Sequence, residues 1–180
     1  PIPDDGVFTN VERVLLTRAH SYWNTLKVLF TKTPMQVGYY QSRRFAERAE
    51  VLIQNHDAVL CHLIRTAEYA RNASIPRFLE MTDAISMNYR RARSHATTNG
   101  IKGLVYAVES SRLLAYERQV IRDFDRSVLV SQVDADFLAE PATEHRLLVC
   151  SNGVDLNALP FSLREHSKPV LVYIGKMTTL

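Results

Sequence analysis

The stretch HDAVLCHLIRTAEYARNASIPRFLEMTDA, His56 to Ala84, decides the fold. Its apolar run Ala58-Val59-Leu60-Cys61 is short and bounded by polar residues, the signature of a buried strand. "IRTAEYA" then reads as helical and ends near "RNASIP", and "RFLEMTDA" supplies the next strand. Strand, helix and strand in so short a span predict a parallel pair joined by a crossover. His62 stands at the carboxyl end of the first of these strands, with Arg65 one helical turn beyond it.

Working outward, the same alternation continues. Towards the amino end, "FTNVERVLLTRAHSYWNTLKVLF" (8–30) has Val11, Val14, Leu15 and Ala19 at helical spacing and predicts one long amphipathic helix. Pro34 and Gly38 in "TPMQVGYY" break it, and "QSRRFAERAEVLIQNH" predicts a second helix. Towards the carboxyl end, "AISMNYRRARSHA" and "LVYAVESSRLLAYERQVIRDFD" are helices separated by "TTNGIKG". In the longer one, Ile101, Val105, Val108, Leu113, Val120 and Phe124 define an apolar face with Glu109 near its middle. "SVLVS" and "HRLLVC" are further strands, with the helix "QVDADFLA" between them capped by Ser131. "SNGVDL" turns, and "KPVLVYIGKM" is a last β-branched strand. Strands alternating with helices predict an α/β chain with a parallel sheet of the doubly wound kind. The last strand reaches Gly175-Lys176 with no helix to cover it, which predicts an internal piece of a larger protein.

Composition agrees with a globular chain. Of 180 residues, 46% are hydrophobic and 23% charged, enough for a substantial core. No apolar run approaches the length of a membrane span. The two cysteines, Cys61 and Cys150, sit in apolar strand-like runs and read as reduced core thiols in a cytoplasmic setting. The net charge of +3 is a mild basic excess, compatible with anionic partners. Nucleic-acid binding needs a broader basic field and a recognisable module, and neither is present. No P-loop, dinucleotide fingerprint, zinc-protease helix or nucleophile elbow occurs.

Several segments together carry a resemblance. "CHLIRTAEY", "TDAISMNYRR", "ESSRLLAYE", "FDRSVLVSQVDADFL", "NGVDLNALPF" and "VLVYIGKM" come in the order seen in bacterial GT-B glycosyltransferases of family 4. The chain is most similar to polysaccharide-associated sugar transferases with an "E..RL..YE" helix, from about His56 onward. The resemblance implies a Rossmann-like acceptor domain over residues 1–150, lacking its first strand or strands. Residues 151–180 would be the crossover and first strand of a nucleotide-sugar-binding domain. It also implies a retaining transferase that moves a sugar from a nucleotide-sugar to a glycan or lipid-linked hydroxyl, with no metal or other cofactor. A cytoplasmic location, peripheral to the inner face of the membrane, would suit that task. A fragment holding only the acceptor wall would be inactive alone.

The candidate residues follow from strand ends, where ligands of parallel sheets collect. His62 would orient a sugar hydroxyl or stabilise charge on the transition state, or else close its strand as a hydrogen-bonded histidine. Arg65 would fork onto a donor diphosphate or an acidic acceptor, or pair with Asp83 or Glu109. Asp83, Ser86 and Tyr89 follow the next strand end and would contact the acceptor, with capping of the next helix by Asp83 or Thr82 the alternative. Arg90, Arg91 and Arg93, beside Tyr89 and His95, form either a solvated face or a contact with an anionic membrane. Glu109 is too costly to bury unpaired, so a cationic partner or a place in the cleft is expected. In the resembling enzymes Gly175-Lys176 would lie at the donor phosphate. The uncovered last strand would also invite pairing with a second copy.

Overall fold

The structure is a computed structural model, and it describes residues 8–95, 101–161 and 163. The expected last strand, with Gly175 and Lys176, lies outside the described residues. The chain divides after Cys150 into two compact units, Pro1–Cys150 and Ser151–Leu180. In the first unit the helices are α1 (Arg18–Val28), α2 (Met35–Tyr39), α3 (Arg43–Ile53), α4 (Ile85–His95), α5 (Ile101–Asp123) and α6 (Gln132–Leu138). The strands are β1 (Val59–His62), β2 (Arg77–Thr82), β3 (Arg126–Leu129) and β4 (Leu147–Val149). Short 3₁₀ helices lie at Ile64–Tyr69 and Glu144–Arg146. In the second unit, the Asp155 carboxylate accepts the amides of Asn157 and Ala158 in a turn.

All strand pairs are parallel and the order is β1-β2-β3-β4, so the fold is α/β with a Rossmann-like sheet flanked by helices. The order steps one way throughout the described strands. Right-handed crossovers that always step the same way place their helices on one face. Side-chain burial follows this. Cys61, Leu79 and Ser127 are register partners on adjacent strands and all are buried, as are Met81 and Leu129. On the opposite face, Leu60 is 68% exposed and Phe78 and Leu148 are also open.

Helix α5 is the spine of the covered side. Leu113, Tyr116, Val120, Ile121 and Phe124 are buried, and Glu109 and Glu117 share their face. The expected apolar stripe is therefore rotated: Val105 and Val108 point outward. Tyr116 donates its hydroxyl to Glu68, which also holds Arg71, and Arg71 in turn reaches Asp123. This network ties the first 3₁₀ helix to α5.

The long first helix is also corrected, because regular structure begins only at Arg18. The Thr17 hydroxyl accepts the His20 amide and sets that start. Residues 8–17 run without helix, and Glu12 bonds Arg48 of α3 through two contacts. Ser42 and Ser131 cap α3 and α6 through the amides three residues on. Cys61 is a buried thiol as expected, whereas Cys150 lies past β4 and is exposed.

Candidate functional site

The carboxyl ends of β1 and β2 bring three polar side chains together on the open face. His62 and Glu80 are register partners on neighbouring strands, so their side chains rise side by side. His62 Nδ1 faces Glu80 Oε2, and the Thr82 hydroxyl donates to Glu80 Oε1 at 2.8 Å. A carboxylate only accepts, so Nδ1 carries a proton, and in the neutral ring Nε2 keeps its lone pair. The His62 side chain is 72% exposed and Glu80 28%, so the ring edge faces solvent while its anchor is sheltered.

The backbone around this group is strained. Leu63 (φ 67°) and Thr82 (φ 66°) are the non-glycine residues with positive φ among those described. For a β-branched residue such as Thr82 this is a clear outlier. The Asp83 amide bonds the Met81 carbonyl across it at 2.9 Å, a tight three-residue turn. The β2–β3 register also slips between Glu80 and Thr82. Bulges and positive φ cluster where a fold re-aims side chains for function.

Other expected residues find different partners. Arg65 pairs with neither Asp83 nor Glu109; its guanidinium stacks over Tyr40, 4.5 Å from the ring centre. Asp83 does not cap α4, since its carboxylate accepts from the Asn88 side chain at 2.6 Å. That cap comes from across the core. Glu117 accepts the amides of Ile85 and Ser86 and the Ser86 hydroxyl, and Asp134 accepts the Ala84 amide. Ser86 is only 1% exposed, so its expected contact with substrate is replaced by this buried bond. Tyr89 packs edge-on against Tyr106 of α5, with ring centres 5.7 Å apart. Glu109 is buried at the α1–α2 junction, where it accepts the Met35 amide, 3.9 Å from Arg112. Arg112 donates to the Leu29 carbonyl at the end of α1. The "E..RL..YE" helix thus serves as a set of ties between helix ends. Arg90, Arg91 and Arg93 lie exposed along α4.

Glu80 and Thr82 were missed by the sequence reading. The signal was there: in Phe78-Leu79-Glu80-Met81-Thr82, polar and apolar residues alternate from Leu79 onward, as in a strand with one wet face.

The chain matches no protein-family model, no curated protein and no solved structure. Among the described residues no three His, Cys, Asp or Glu side chains gather as a metal-binding set. No described helix is long and apolar enough to cross a membrane. What the site can do chemically is accept or deliver a proton at His62 Nε2, with ring tautomer and orientation fixed by Glu80.

Proposed function

We propose that this chain is the acceptor wall of a GT-B sugar transferase, with His62 as the group that engages the attacking hydroxyl. The observation that carries this reading is the exposed His62 ring held at Nδ1 by Glu80. A hydroxyl of a glycan or lipid-linked acceptor would bond to Nε2. As its oxygen attacks the anomeric carbon of a nucleotide-sugar, its proton passes to the imidazole and the nucleoside diphosphate departs. The test uses the full gene product, a nucleotide-sugar and a glycan acceptor. His62→Ala should lower transfer by about 10²–10⁴-fold, the span of a lost acid–base group. Glu80→Ala should lower it less and shift the neutral ring away from the Nδ1–H tautomer in nitrogen NMR. Undiminished transfer in His62→Ala removes the proposal.

A second reading, docking on an anionic membrane surface, is favoured by the outward face of α1. Tyr22, Trp23 and Leu26 are exposed there, as are Leu29 and Phe30 just past its end, Phe30 to 90%. Aromatic side chains of this kind settle at lipid headgroups. Trp23 is the single tryptophan, so its fluorescence reports directly. Anionic vesicles should shift its emission to the blue, and an unchanged spectrum rejects the docking.

A further inference from the structure

We propose that the hollow between α3, the Ile64–Tyr69 helix and residues 8–17 binds a small ring-bearing oxyanion, a carboxylate or phosphate carried on a single ring and gripped by Arg65. The hollow has a volume of about 200 Å³, the scale of one ring with its head group. Val14, Leu16, Phe45 and Tyr69 give it apolar walls. The hydroxyls that border it are already engaged. Tyr69 donates to the Tyr40 carbonyl and accepts the Ser42 amide, and Thr66 donates to the carbonyls of His62 and Leu63.

Arg65 is different. Its Nε is buried without a hydrogen-bond partner, and among the described residues no carboxylate pairs with it. Stacking on Tyr40 fixes the plane of its fork. The cost falls on Nε, since Arg65 as a whole is half-buried, and an oxyanion seated in the hollow would offset the charge and pair with the N–H groups of the fork. The field points the same way. Ser42 of the hollow is the N-cap of α3, whose first turn has no acidic residue and begins Arg43-Arg44. The apolar walls then select for a ring behind the charge, which free phosphate lacks. A larger groove of about 370 Å³ lies at the amino end of β1, but its Arg48 is already taken by Glu12. This inference is independent of the sugar-transfer proposal, since it concerns binding at Arg65 and not chemistry at His62.

The test titrates the chain with phenyl phosphate and with glucuronate, followed by amide and arginine-Nε NMR shifts. Inorganic phosphate and benzyl alcohol are the ringless and chargeless controls. At least one ringed anion should bind about tenfold or more tightly than its control, moving the Arg65 Nε resonance. Phenyl phosphate alone binding assigns an aryl-like phosphate ester, and glucuronate alone assigns a sugar acid. Arg65→Ala should abolish binding, and Arg65→Lys should weaken it because a point charge cannot fork. Leu16→Trp should also abolish it by filling the hollow while Arg65 stays, which keeps the test decisive if Arg65→Ala does not fold. The proposal is overturned if neither ringed anion binds, if inorganic phosphate binds as tightly as phenyl phosphate, or if binding survives Leu16→Trp.

Discussion

Glu109 and Glu117 stand about two turns apart on α5, and each carboxylate closes the N-terminus of a different helix. Glu109 meets the first amide of α2, and Glu117 meets the first amides of α4. Arg112, between them, donates to the Leu29 carbonyl that ends α1. Anion at helix start and cation at helix end is the arrangement the helix dipole favours. One helix thereby fixes the ends of three others, which explains why two acids lie on its buried face.

Burying Glu117 has a consequence for pH. Desolvation pushes its carboxyl up to about 7, against hydrogen bonds from Ser86 and Ile85 that pull it down, while nearby Asp83 adds to the rise. The folded chain therefore holds this proton more tightly than the unfolded chain, whose value is 4.5. Stability from this group is fully present below the unfolded value, is lost as pH rises through about 7, and is level above that. The displacement corresponds to a loss of about 3 kcal/mol. Glu109, also raised by burial, adds a loss of the same sign. Urea unfolding of wild type between about pH 5 and pH 8 should show the fall, and Glu117→Gln should show a shallower one. Equal slopes in both proteins would exclude Glu117 as the source.

Gly38 predicts a reversal of helix propensity. It reads in the sequence as a helix breaker, yet it sits inside α2. A Cβ there would meet Val28 Cγ2 of α1 at 2.4 Å and Cγ1 at 2.9 Å. Gly to Ala inside a helix ordinarily gains about 1 kcal/mol. Here the overlap should win, and Gly38→Ala should destabilise by about 1–3 kcal/mol. Val28→Ala removes both methyls, so the double variant should be more stable than the sum of the single losses. Additive losses would show that the two helices do not touch at this point.

How much of this was legible in the sequence depends on the range of the determinant. β1 to β4 follow apolar runs, and Ser131 announces α6 through a cap three residues long. These are local effects. The misread elements answer to distant partners. Val11, Val14 and Leu15 keep helical spacing, but residues 8–17 bond α3 through Glu12 and Arg48 and do not coil. Ser86 looks like a strand-end ligand, and only the arrival of Glu117 from α5 buries it. Strand order is likewise invisible in local pattern, so the one-sided layering of helices could not be read. For the site, His62 was found because it ends an apolar run. The alternation around Glu80 marks only a wet strand face, and its pairing with His62 exists only once β1 and β2 are set in register.

Register also explains the last expectation, which concerns strain beside His62. Leu63 directly follows β1 with φ 67° and ψ 149°, a region populated almost only by glycine. Its amide still bonds the Glu80 carbonyl at 2.7 Å, continuing the ladder that holds His62 against Glu80. The Cβ is thus forced into an unfavourable place by the pairing of two strands. Leu63→Ala and Leu63→Gly lose nearly the same side-chain contacts, but only glycine removes that Cβ. Leu63→Gly should accordingly be the more stable of the two by about 1–2 kcal/mol, opposite to the usual order of these residues. Chemical denaturation of both variants decides it. If alanine proves the more stable, the chain does not turn through positive φ after β1, and the orientation of the His62 ring must have another origin.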